Sequence, residues 1–446
     1  MDTSTYYAAA STLLTIGITA GLVYMHSRSA RTATKNKTVA LPGNISALVD
    51  AIILPEAKMI DGAMFPLALV PKDANAGAAE RIAFVRAHHI ELLALVREYG
   101  AVLLRGWGPC SPEHFSEISL SLDLKTTEMA CSAGPRFPVA KNVFTANEAP
   151  PSERIPFHHE MAQCDAPPSV VMFFCETPAT CGGATPIIKS HLAATFLRER
   201  YPAVAERLAA KGVRYIRIMP PVTDPSSALG KSWKHSLRVE SEEAAEDALI
   251  ALGSKWTWLG DGMLRTETKP MPAMLMDERT GREVFFTAAE STFNSIEDEQ
   301  DHGTSDDPTA AGTAMEKKVI RPVKAIIYGD GSPLDAETRT ALHEVSAFML
   351  HEQVAVPWQS GDALILDNAT VQHARQAFTP PRRILASLVG QLSKREGKLR
   401  ESESIEEMCK RRTAFVLPKE MSVSPSSTMD GLPKHDVPHF SLSVTL

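Results

Sequence analysis

The stretch FHHEMAQ, residues 157–163, places an imidazole and a carboxylate two positions apart, at His158 and Glu160. On a β-strand, side chains at positions i and i+2 point to the same side. If this stretch is a strand, the two side chains can hold one metal ion between them. A histidine two positions before an acid also occurs by chance, so the pair needs a further ligand before it indicates a metal centre.

A third ligand is expected from DALILDNATVQHARQAF, residues 362–378. A buried strand is predicted to end at Asp367 and Asn368, and His373 follows in what we predict to be a loop just beyond it. Two histidines and one carboxylate leave three positions free on an octahedral ion. This suits non-haem Fe(II) that binds a co-substrate and O₂ together. Taken alone, His373 is better interpreted as a hydrogen-bonded loop histidine.

Two adjacent arginines, Arg382 and Arg383, stand at the start of an apolar run in TPPRRILASL, residues 379–388. An arginine entering an apolar strand is costly unless it is paired. Because side chains alternate along a strand, only one of the two can point inward, where its guanidinium would suit a carboxylate. Its partner is open at this point: a bound anion or an acid of the protein.

The composition excludes several classes of protein. The chain has 446 residues, of which 44% are hydrophobic and 22% charged, which excludes a disordered chain, a collagen and a multi-span membrane protein. The net charge of −7 leaves no generally basic surface, so no nucleic-acid partner is expected. The chain also lacks the phosphate-binding loop, the G-x-S-x-G elbow and the H-E-x-x-H motif, which argues against NTPases, serine hydrolases and zinc proteases. Its six cysteines include no C-x-x-C pair and are interpreted as reduced thiols.

The N-terminal stretch YYAAASTLLTIGITAGLVYM, residues 6–25, is uncharged and long enough to cross a bilayer as a helix. Basic residues follow from Arg28, and positive charge on that side favours a cytoplasmic location for the body of the chain. We therefore expect a membrane anchor at 1–27 and a basic linker at 28–45. The alternative is a targeting peptide, which would give a soluble enzyme in an organelle.

Apolar residues at helical spacing predict a helix over 77–99 that ends at Gly100. The same criteria predict helices at 190–211, 239–252 and 335–352, and strands at 169–175, 184–188, 283–287, 362–366 and 383–391. Helices and strands do not alternate regularly, which disfavours a doubly wound parallel sheet. Residues 295–318 are expected to form a surface loop, and residues 399–446 a C-terminal helix and a loose tail.

The order of these motifs resembles the taurine dioxygenase-type (TauD/TfdA-like) superfamily of Fe(II)/2-oxoglutarate oxygenases, and most closely its clavaminate synthase-like branch. The similarity covers residues 99–391, most of the chain. The blocks that carry it are YGAVLLRGW (99–107), KNVFTANEAP (141–150), IPFHHEMAQ (155–163), CGGATPI (181–187), DERTGREVFF (277–286), YGDGSP (328–333), VPWQSGDALILDN (356–368) and TPPRRILASL (379–388).

The resemblance implies an α+β fold, β-rich with flanking helices, whose core is a double-stranded β-helix, or jelly roll. The oxygenase domain would span 46–398. His158, Glu160 and His373 match the iron ligands of the family, while Thr185 and Arg383 match the residues that bind the far carboxylate of 2-oxoglutarate. With O₂ as the second co-substrate, the expected reaction is oxidation of a small organic substrate, by hydroxylation, with release of succinate and CO₂.

The sequence departs from the taurine enzymes at two positions. Its carboxylate ligand is Glu160 rather than aspartate, as in the clavaminate-type branch, and Ser387 stands where taurine enzymes carry a sulfonate-binding arginine. A sulfonate substrate is therefore not expected. Candidate substrate contacts are instead Asn147, Arg136 and the segment 290–298.

Two other functions stay open at this point. The chain could be a non-catalytic binding protein that keeps the jelly roll, or a hydrolase that uses the same three ligands for zinc. Iron content separates the first from an oxygenase, and activity without 2-oxoglutarate or O₂ separates the second. The sequence does not indicate an oligomeric state.

Overall fold

The computed structural model describes residues 41–107, 111–127, 136–146, 149–224, 230–288, 323–395, 397–401 and 408. The chain divides after Ser402 into two units, and the helices and strands below belong to the first. The predicted membrane anchor at 1–27 and the loop at 295–318 lie outside the described residues. Within the described ranges, no helix combines the length and apolar character that crossing a bilayer requires.

The largest sheet is a platform of mostly antiparallel strands. In sheet order these are β1 (Val49–Ile52), β4 (Leu67–Pro71), β5 (Ala101–Leu104), β18 (Ala363–Asp367), β9 (Val170–Thr177), β21 (Arg383–Val389), β7 (Val143–Thr145) and β6 (Pro138–Ala140). Only β4 and β5 pair in parallel within it. Its central strands β5 and β18 are buried along their whole length, because their sequences AVLL and ALILD are apolar up to the final aspartate.

A smaller sheet of three strands lies opposite this platform. Its order is β11 (Ile187–Lys189), β19 (Val371–Arg375) and β8 (Ile155–His158), all antiparallel. Phe173 of the large sheet and Val371 of the small sheet belong to one buried apolar cluster. The two sheets therefore enclose a common core, which is the jelly-roll arrangement expected from the sequence.

Helices cover the outer face of the large sheet and a second apolar core. Phe115 lies 5.3 Å from Phe174 of β9, between ring centroids, and anchors one of these helices to the sheet. The helices are α1 (Gly43–Ser46), α2 (Ala78–Ala87), α3 (His89–Tyr99), α4 (Pro112–Leu120), α5 (Ser190–Arg200), α6 (Pro202–Lys211), α7 (Trp233–Leu237), α8 (Glu242–Ala251) and α9 (Ala336–Glu352). Of these, α5, α6 and α9 contribute Leu197, Leu208 and Val345 to the second core.

The remaining strands form four small sheets. They are the hairpin β2 (Lys58–Ile60) and β3 (Ala63–Phe65); the pair β10 (Cys181–Gly182) and β20 (Phe378–Thr379); the sheet of β13 (Lys255–Trp258), β14 (Leu264–Glu267), β12 (Val213–Met219) and β17 (Val323–Tyr328); and the sheet of β16 (Arg282–Phe285), β15 (Met274–Asp277), β23 (Lys398–Glu401) and β22 (Leu392–Arg395).

Two of the predicted helices are each broken in the middle. The helix predicted over 77–99 is α2 and α3, because His88 leaves the helical conformation at φ −120° and ψ 23°. The helix predicted over 190–211 is α5 and α6, which meet at Tyr201. The residue before a proline is disfavoured in a helix, and Pro202 follows Tyr201.

Two structural elements lie across predicted domain boundaries. Helix α1 begins at Gly43, inside the segment 28–45 that was expected to be a linker. Strand β23 crosses the predicted boundary at 398, since Leu399 is fully buried and β23 pairs with both β15 and β22. Except for Met408, the C-terminal helix and tail predicted after this strand lie outside the described residues.

Candidate metal centre and active site

The structure brings the three predicted ligands together in the small sheet. His158 is the last residue of β8, Glu160 follows two residues later, and His373 is the middle residue of β19. His158 and His373 are direct partners across the two strands. One ligand atom from each of the three residues lies within 4.8 Å of the others, and His373 Nε2 is 3.6 Å from Glu160 Oε2.

Two details of the predicted local structure were wrong. His373 lies in a buried strand rather than in a loop, because the chain makes a short turn after Asp367 and re-enters the small sheet. Glu160 lies beyond the end of β8, so the alternation of a strand does not by itself orient it towards the metal. Instead, Met161 adopts a positive φ of 57° and turns the chain directly after the glutamate.

The amide of Asn368 holds the backbone of Glu160 in this turn. Its Oδ1 accepts a hydrogen bond from the Glu160 N–H at 2.9 Å, and its Nδ2 donates to the Glu160 carbonyl at 3.0 Å. Nδ2 also donates to the Pro168 carbonyl at 2.8 Å. Sequence analysis missed this role, although Asn368 was noted at the end of the strand. The Asn368 side chain is buried, and all three of these hydrogen bonds join it to backbone groups. It therefore ties the backbone of Glu160 to the end of strand β18 in the large sheet.

The histidine nitrogens fit a bound divalent metal. His158 Nδ1 lies 2.8 Å from the Pro156 carbonyl, to which it donates, so the lone pair of the neutral ring is on Nε2. Metal-binding histidines in proteins usually donate their second ring nitrogen in this way. His373 Nδ1 is buried and has no hydrogen-bond partner among the residues that the structure describes. The set of two imidazoles and one carboxylate is the one that non-haem Fe(II) prefers when co-substrates must also bind.

Glu160 is ionised in this environment. Burial on its own would raise the pKa of the carboxyl group, but Arg136, 2.8 Å away, and the neighbouring His373 and His158 hold it well below its ordinary value. Burial lowers the pKa of His159 far below its usual range. His159 is therefore neutral, and its ring stacks on Phe286 with centroids 4.2 Å apart.

A cavity opens beside the three ligands, and it contains polar groups that suit an anionic co-substrate. Thr185, which the resemblance implies as a contact of 2-oxoglutarate, lines this cavity and is 7% exposed. Trp358 Nε1 donates to Thr185 Oγ1 at 3.2 Å, which orients the hydroxyl group. The lining is completed by Arg136, Ala146, Ile155, His158, Phe173, His373, Ala374, Arg375, Arg382 and Ile384.

The arginine that lines this cavity is Arg382, whereas Arg383, which the resemblance implied, is not among the lining residues, and its role stays a prediction. The side chain of Arg383 is 52% exposed and forms an ion pair with Glu176 at 2.9 Å. Strand β21 shifts register against β9 between Arg383 and Ile384, so the regular alternation of side chains fails there. Arg382 precedes the strand and turns inward, where its Nε donates to the Gly183 carbonyl at 2.8 Å.

Gly183 leaves space for the side chain of Arg382, and the ring of Phe378 packs against its guanidinium group. A Cβ atom at Gly183 would lie 2.8 Å from Ala179 Cβ and 3.0 Å from both Arg382 Cδ and Phe378 Cβ, so no larger residue fits. The guanidinium carbon of Arg382 lies 5.1 Å from the centre of the Phe378 ring. Arg375 lies 5.3 Å from the same ring, and its guanidinium binds backbone carbonyls of residues 149, 150 and 153.

The other predicted substrate contacts have different outcomes. Arg136 does line the cavity, beside Glu160. Asn147 and the segment 290–298 lie outside the described residues. Ser387 is fully buried away from the cavity lining, where its hydroxyl lies 2.6 Å from that of Ser119 and accepts a hydrogen bond from Asn142 at 2.9 Å.

Comparison with known proteins agrees with this geometry. The family model described as "Taurine catabolism dioxygenase TauD, TfdA family" matches residues 78–388. A clavaminate synthase-like protein of Arabidopsis thaliana is 36% identical over 342 residues, covering 75% of this chain and 96% of the relative. The dapdiamide synthesis protein DdaC of Enterobacter agglomerans is 24% identical over 303 residues, covering 68% and 85% of the two chains.

Among solved structures, a taurine dioxygenase from Burkholderia xenovorans covers 78% of this chain and 94% of its own, at 16% identity and a TM-score of 0.40. A score this low adds nothing to the assignment. The assignment rests on the family model, whose match spans the three ligands and Arg382, and on the Arabidopsis relative at 36% identity. On that evidence, the chain belongs to the TauD/TfdA family of dioxygenases.

Proposed function

We propose that this chain is an Fe(II)- and 2-oxoglutarate-dependent dioxygenase that hydroxylates a small organic substrate and releases succinate and CO₂. The dioxygenase class follows from membership of the family. The observation that carries the assignment of residues is the convergence of His158, Glu160 and His373 at one end of a cavity that also holds Thr185 and Arg382.

His158, Glu160 and His373 would hold the iron. The chemistry that Fe(II) supplies when bound is the O₂-dependent oxidation of a substrate C–H bond, coupled to conversion of 2-oxoglutarate to succinate and CO₂. The protein keeps the ligands in place before the metal arrives. The hydrogen bond from His158 to Pro156 sets the tautomer, and Asn368 fixes the backbone of Glu160.

Arg382 and Thr185 would bind the carboxylate of 2-oxoglutarate that points away from the iron. Both line the cavity, and a guanidinium with a hydroxyl group offers charge-assisted hydrogen bonds to one carboxylate. Arg382 is already held by Gly183 and Phe378. Its side chain therefore loses little conformational entropy when the co-substrate binds. Arg383 takes no part in this proposal, since its partner is Glu176.

Arg136 would contact the primary substrate. It faces the cavity from the side of Glu160, and its side chain is 9% exposed. Apolar side chains such as Phe173, Ile155 and Ile384 form the other walls and would exclude water. A small substrate with an acidic group beside an aliphatic C–H bond has the chemistry that fits these walls.

The experiment that tests the function uses the full chain, reconstituted with Fe(II) without oxygen and titrated with 2-oxoglutarate. We expect a weak visible absorption band that requires both components, and O₂-dependent release of succinate. His158→Ala and Glu160→Ala should abolish both signals. If folded, metal-loaded protein gives no band, the non-catalytic jelly roll becomes the better reading. Activity without 2-oxoglutarate and O₂ would instead favour the metal-dependent hydrolase.

We also propose that residues 1–27 anchor the enzyme to a membrane, with the catalytic domain on the cytoplasmic side. The support is the uncharged stretch from Tyr6 to Met25 and the basic residues that follow it. Extraction of membranes at alkaline pH tests this proposal. Release of the chain into the soluble fraction, with a shortened N-terminus, would favour a cleaved organelle-targeting peptide.

A further inference from the structure

A second cavity of about 310 Å³ lies at the far end of β11 from Thr185. The turn of the hairpin β2–β3 forms one wall, with Asp61 and Gly62. Lys189 at the end of β11, His191 in the first turn of α5 and Arg282 of β16 form another. None of the residues that line this cavity also lines the one beside the iron ligands.

Lys189 is an unusual residue for the end of a buried strand. It is 7% exposed, and its ammonium group makes no hydrogen bond to any part of the chain that the structure describes. Its nearest carboxylate oxygen, Asp61 Oδ2, is 3.9 Å away. An ammonium group on a largely buried stem, with one carboxylate oxygen no nearer than 3.9 Å, favours an anionic acceptor within the cavity.

The protein makes space for this lysine. Its stem passes Gly100, where a Cβ atom would lie 3.5 Å from Lys189 Cε and 3.0 Å from Val371 Cγ2, and where φ is +82°. The ammonium group lies 5.7 Å from the centre of the Phe65 ring. Glycine at position 100 therefore allows the side chain to extend into the cavity.

Asp61 shows that this cluster accepts a carboxylate. Its Oδ2 lies 2.7 Å from Arg282 Nη1 and 3.1 Å from His191 Nε2, at the tip of the hairpin. Burial would raise the pKa of Asp61, but Arg282, His191 and Lys189 hold it below its ordinary value. One carboxylate oxygen thus already occupies part of the positive cluster, without coming within hydrogen-bond distance of Lys189.

Glu98 also lines the cavity, whereas three buried acids nearby are already paired with a guanidinium group. Arg279 binds Asp277, Asp367 and Glu401, each at 3.0 Å. Arg97 forms a second ion pair with Glu401. These three buried carboxylates are therefore engaged with guanidinium groups, and Asp61 is the carboxylate that pairs with Arg282 and lies nearest to Lys189.

We propose that this cavity is a second binding site, for a small anion with a carboxylate or phosphate group, held by Lys189 and Arg282. Asp61 competes with this ligand for the same cations. The ligand would place an oxygen within hydrogen-bond distance of Lys189, which Asp61 does not reach. The site is independent of the iron and of 2-oxoglutarate.

The experiment is calorimetric titration of the metal-free full chain with inorganic phosphate and, separately, with malonate. Asp61→Asn removes the competing charge and should tighten binding roughly tenfold, while Lys189→Met should weaken it by a similar factor, as expected for one charge-assisted hydrogen bond. Arg200→Met is the matched control, because Arg200 is 65% exposed, pairs with Glu344 and lines neither cavity. It should leave this binding unchanged.

Which probe binds identifies the ligand chemistry. Binding of phosphate alone indicates a phosphate ester, and binding of malonate alone indicates a carboxylic acid. The proposal is overturned if Lys189→Met binds either probe as tightly as the wild type. It is also overturned if neither the wild type nor Asp61→Asn binds at about 10 mM. If Lys189→Met does not fold, the comparison of Asp61→Asn with the wild type still decides, since only a competing carboxylate predicts tighter binding. Because no iron is needed, failure here leaves the proposed oxygenase function untouched.

Discussion

Exchange of Arg382 for methionine tests the assignment of the co-substrate site. Methionine keeps much of the length and the apolar stem of the side chain but removes the guanidinium. Arg383→Met is the matched control at the adjacent position. Its side chain is 52% exposed and pairs with Glu176, whereas Arg382 lines the cavity next to Thr185.

The expected magnitude follows from the bonds that are lost. A hydrogen bond to a charged group contributes about 1.5–3 kcal/mol, and the carboxylate of the co-substrate would be left without its cation. At about 1.36 kcal/mol per tenfold change, Arg382→Met should raise the half-saturating concentration of 2-oxoglutarate about 10- to 150-fold. An exposed ion pair contributes about 0–1 kcal/mol to stability, so Arg383→Met should change the same quantity less than about fivefold.

The assay measures succinate release, or the visible band of the iron complex, as a function of 2-oxoglutarate concentration in both variants. The half-saturating concentration should rise in Arg382→Met with little change in the maximal rate, since a binding contact is removed. A large rise in Arg383→Met together with normal behaviour of Arg382→Met would refute the assignment. That result would mean that Arg383 turns inward when the co-substrate binds.

Three further predictions concern the supports of the site and its surroundings. Asn368→Ala should lower Fe(II) affinity about 10- to 100-fold in a metal titration, because it frees the backbone of Glu160; unchanged affinity would show that the turn holds itself. Phe378→Leu should raise the 2-oxoglutarate requirement about two- to tenfold and Phe378→Tyr should not, since only the aromatic variants keep the contact with Arg382; equal behaviour of the two would remove the ring from the account. Burial lowers the pKa of His191 from 6.5 to about 4. The unfolded chain therefore binds a proton on His191 at a higher pH than the folded protein does. The free energy of unfolding decreases as pH falls from about 6.5 towards 4. In urea unfolding, the free energy of unfolding should fall over that range by on the order of 3 kcal/mol more in the wild type than in His191→Gln. An equal fall in the two proteins would contradict this prediction.

The ligands of the metal centre could be predicted from sequence because their chemistry is carried by residue type. The pattern around His158 and Glu160 and the distant His373 indicated a metal centre, and the resemblance to the dioxygenase family added Thr185. The buried strands could be predicted as well, because short apolar runs such as AVLL and ALILD are typical of strands that are buried on both faces. Residue type and apolar content are local properties, and the sequence displays them directly.

The residues that the sequence did not reveal depend on how distant segments meet. The inward turn of Arg382 follows from the register shift between β21 and β9, which periodicity along one strand cannot show. Asn368 acts on Glu160 across 208 residues of chain. The glycine that accommodates Arg382 is set by the pairing of β10 with β20, and its meaning appears only when both strands are in place.

The central position of β9 has a consequence for synthesis of the chain. Its sequence VVMFFCET is buried from Val170 to Cys175, and its two neighbours, β18 and β21, both come from residues after 362. While the ribosome makes the intervening stretch of nearly two hundred residues, neither edge of this apolar strand has its partner. A nascent chain in that state offers two open edges to other chains, which is how β-rich proteins begin to aggregate. Chaperone demand should therefore peak before β18 emerges, and a premature stop upstream of residue 363 should yield insoluble protein rather than a smaller folded domain.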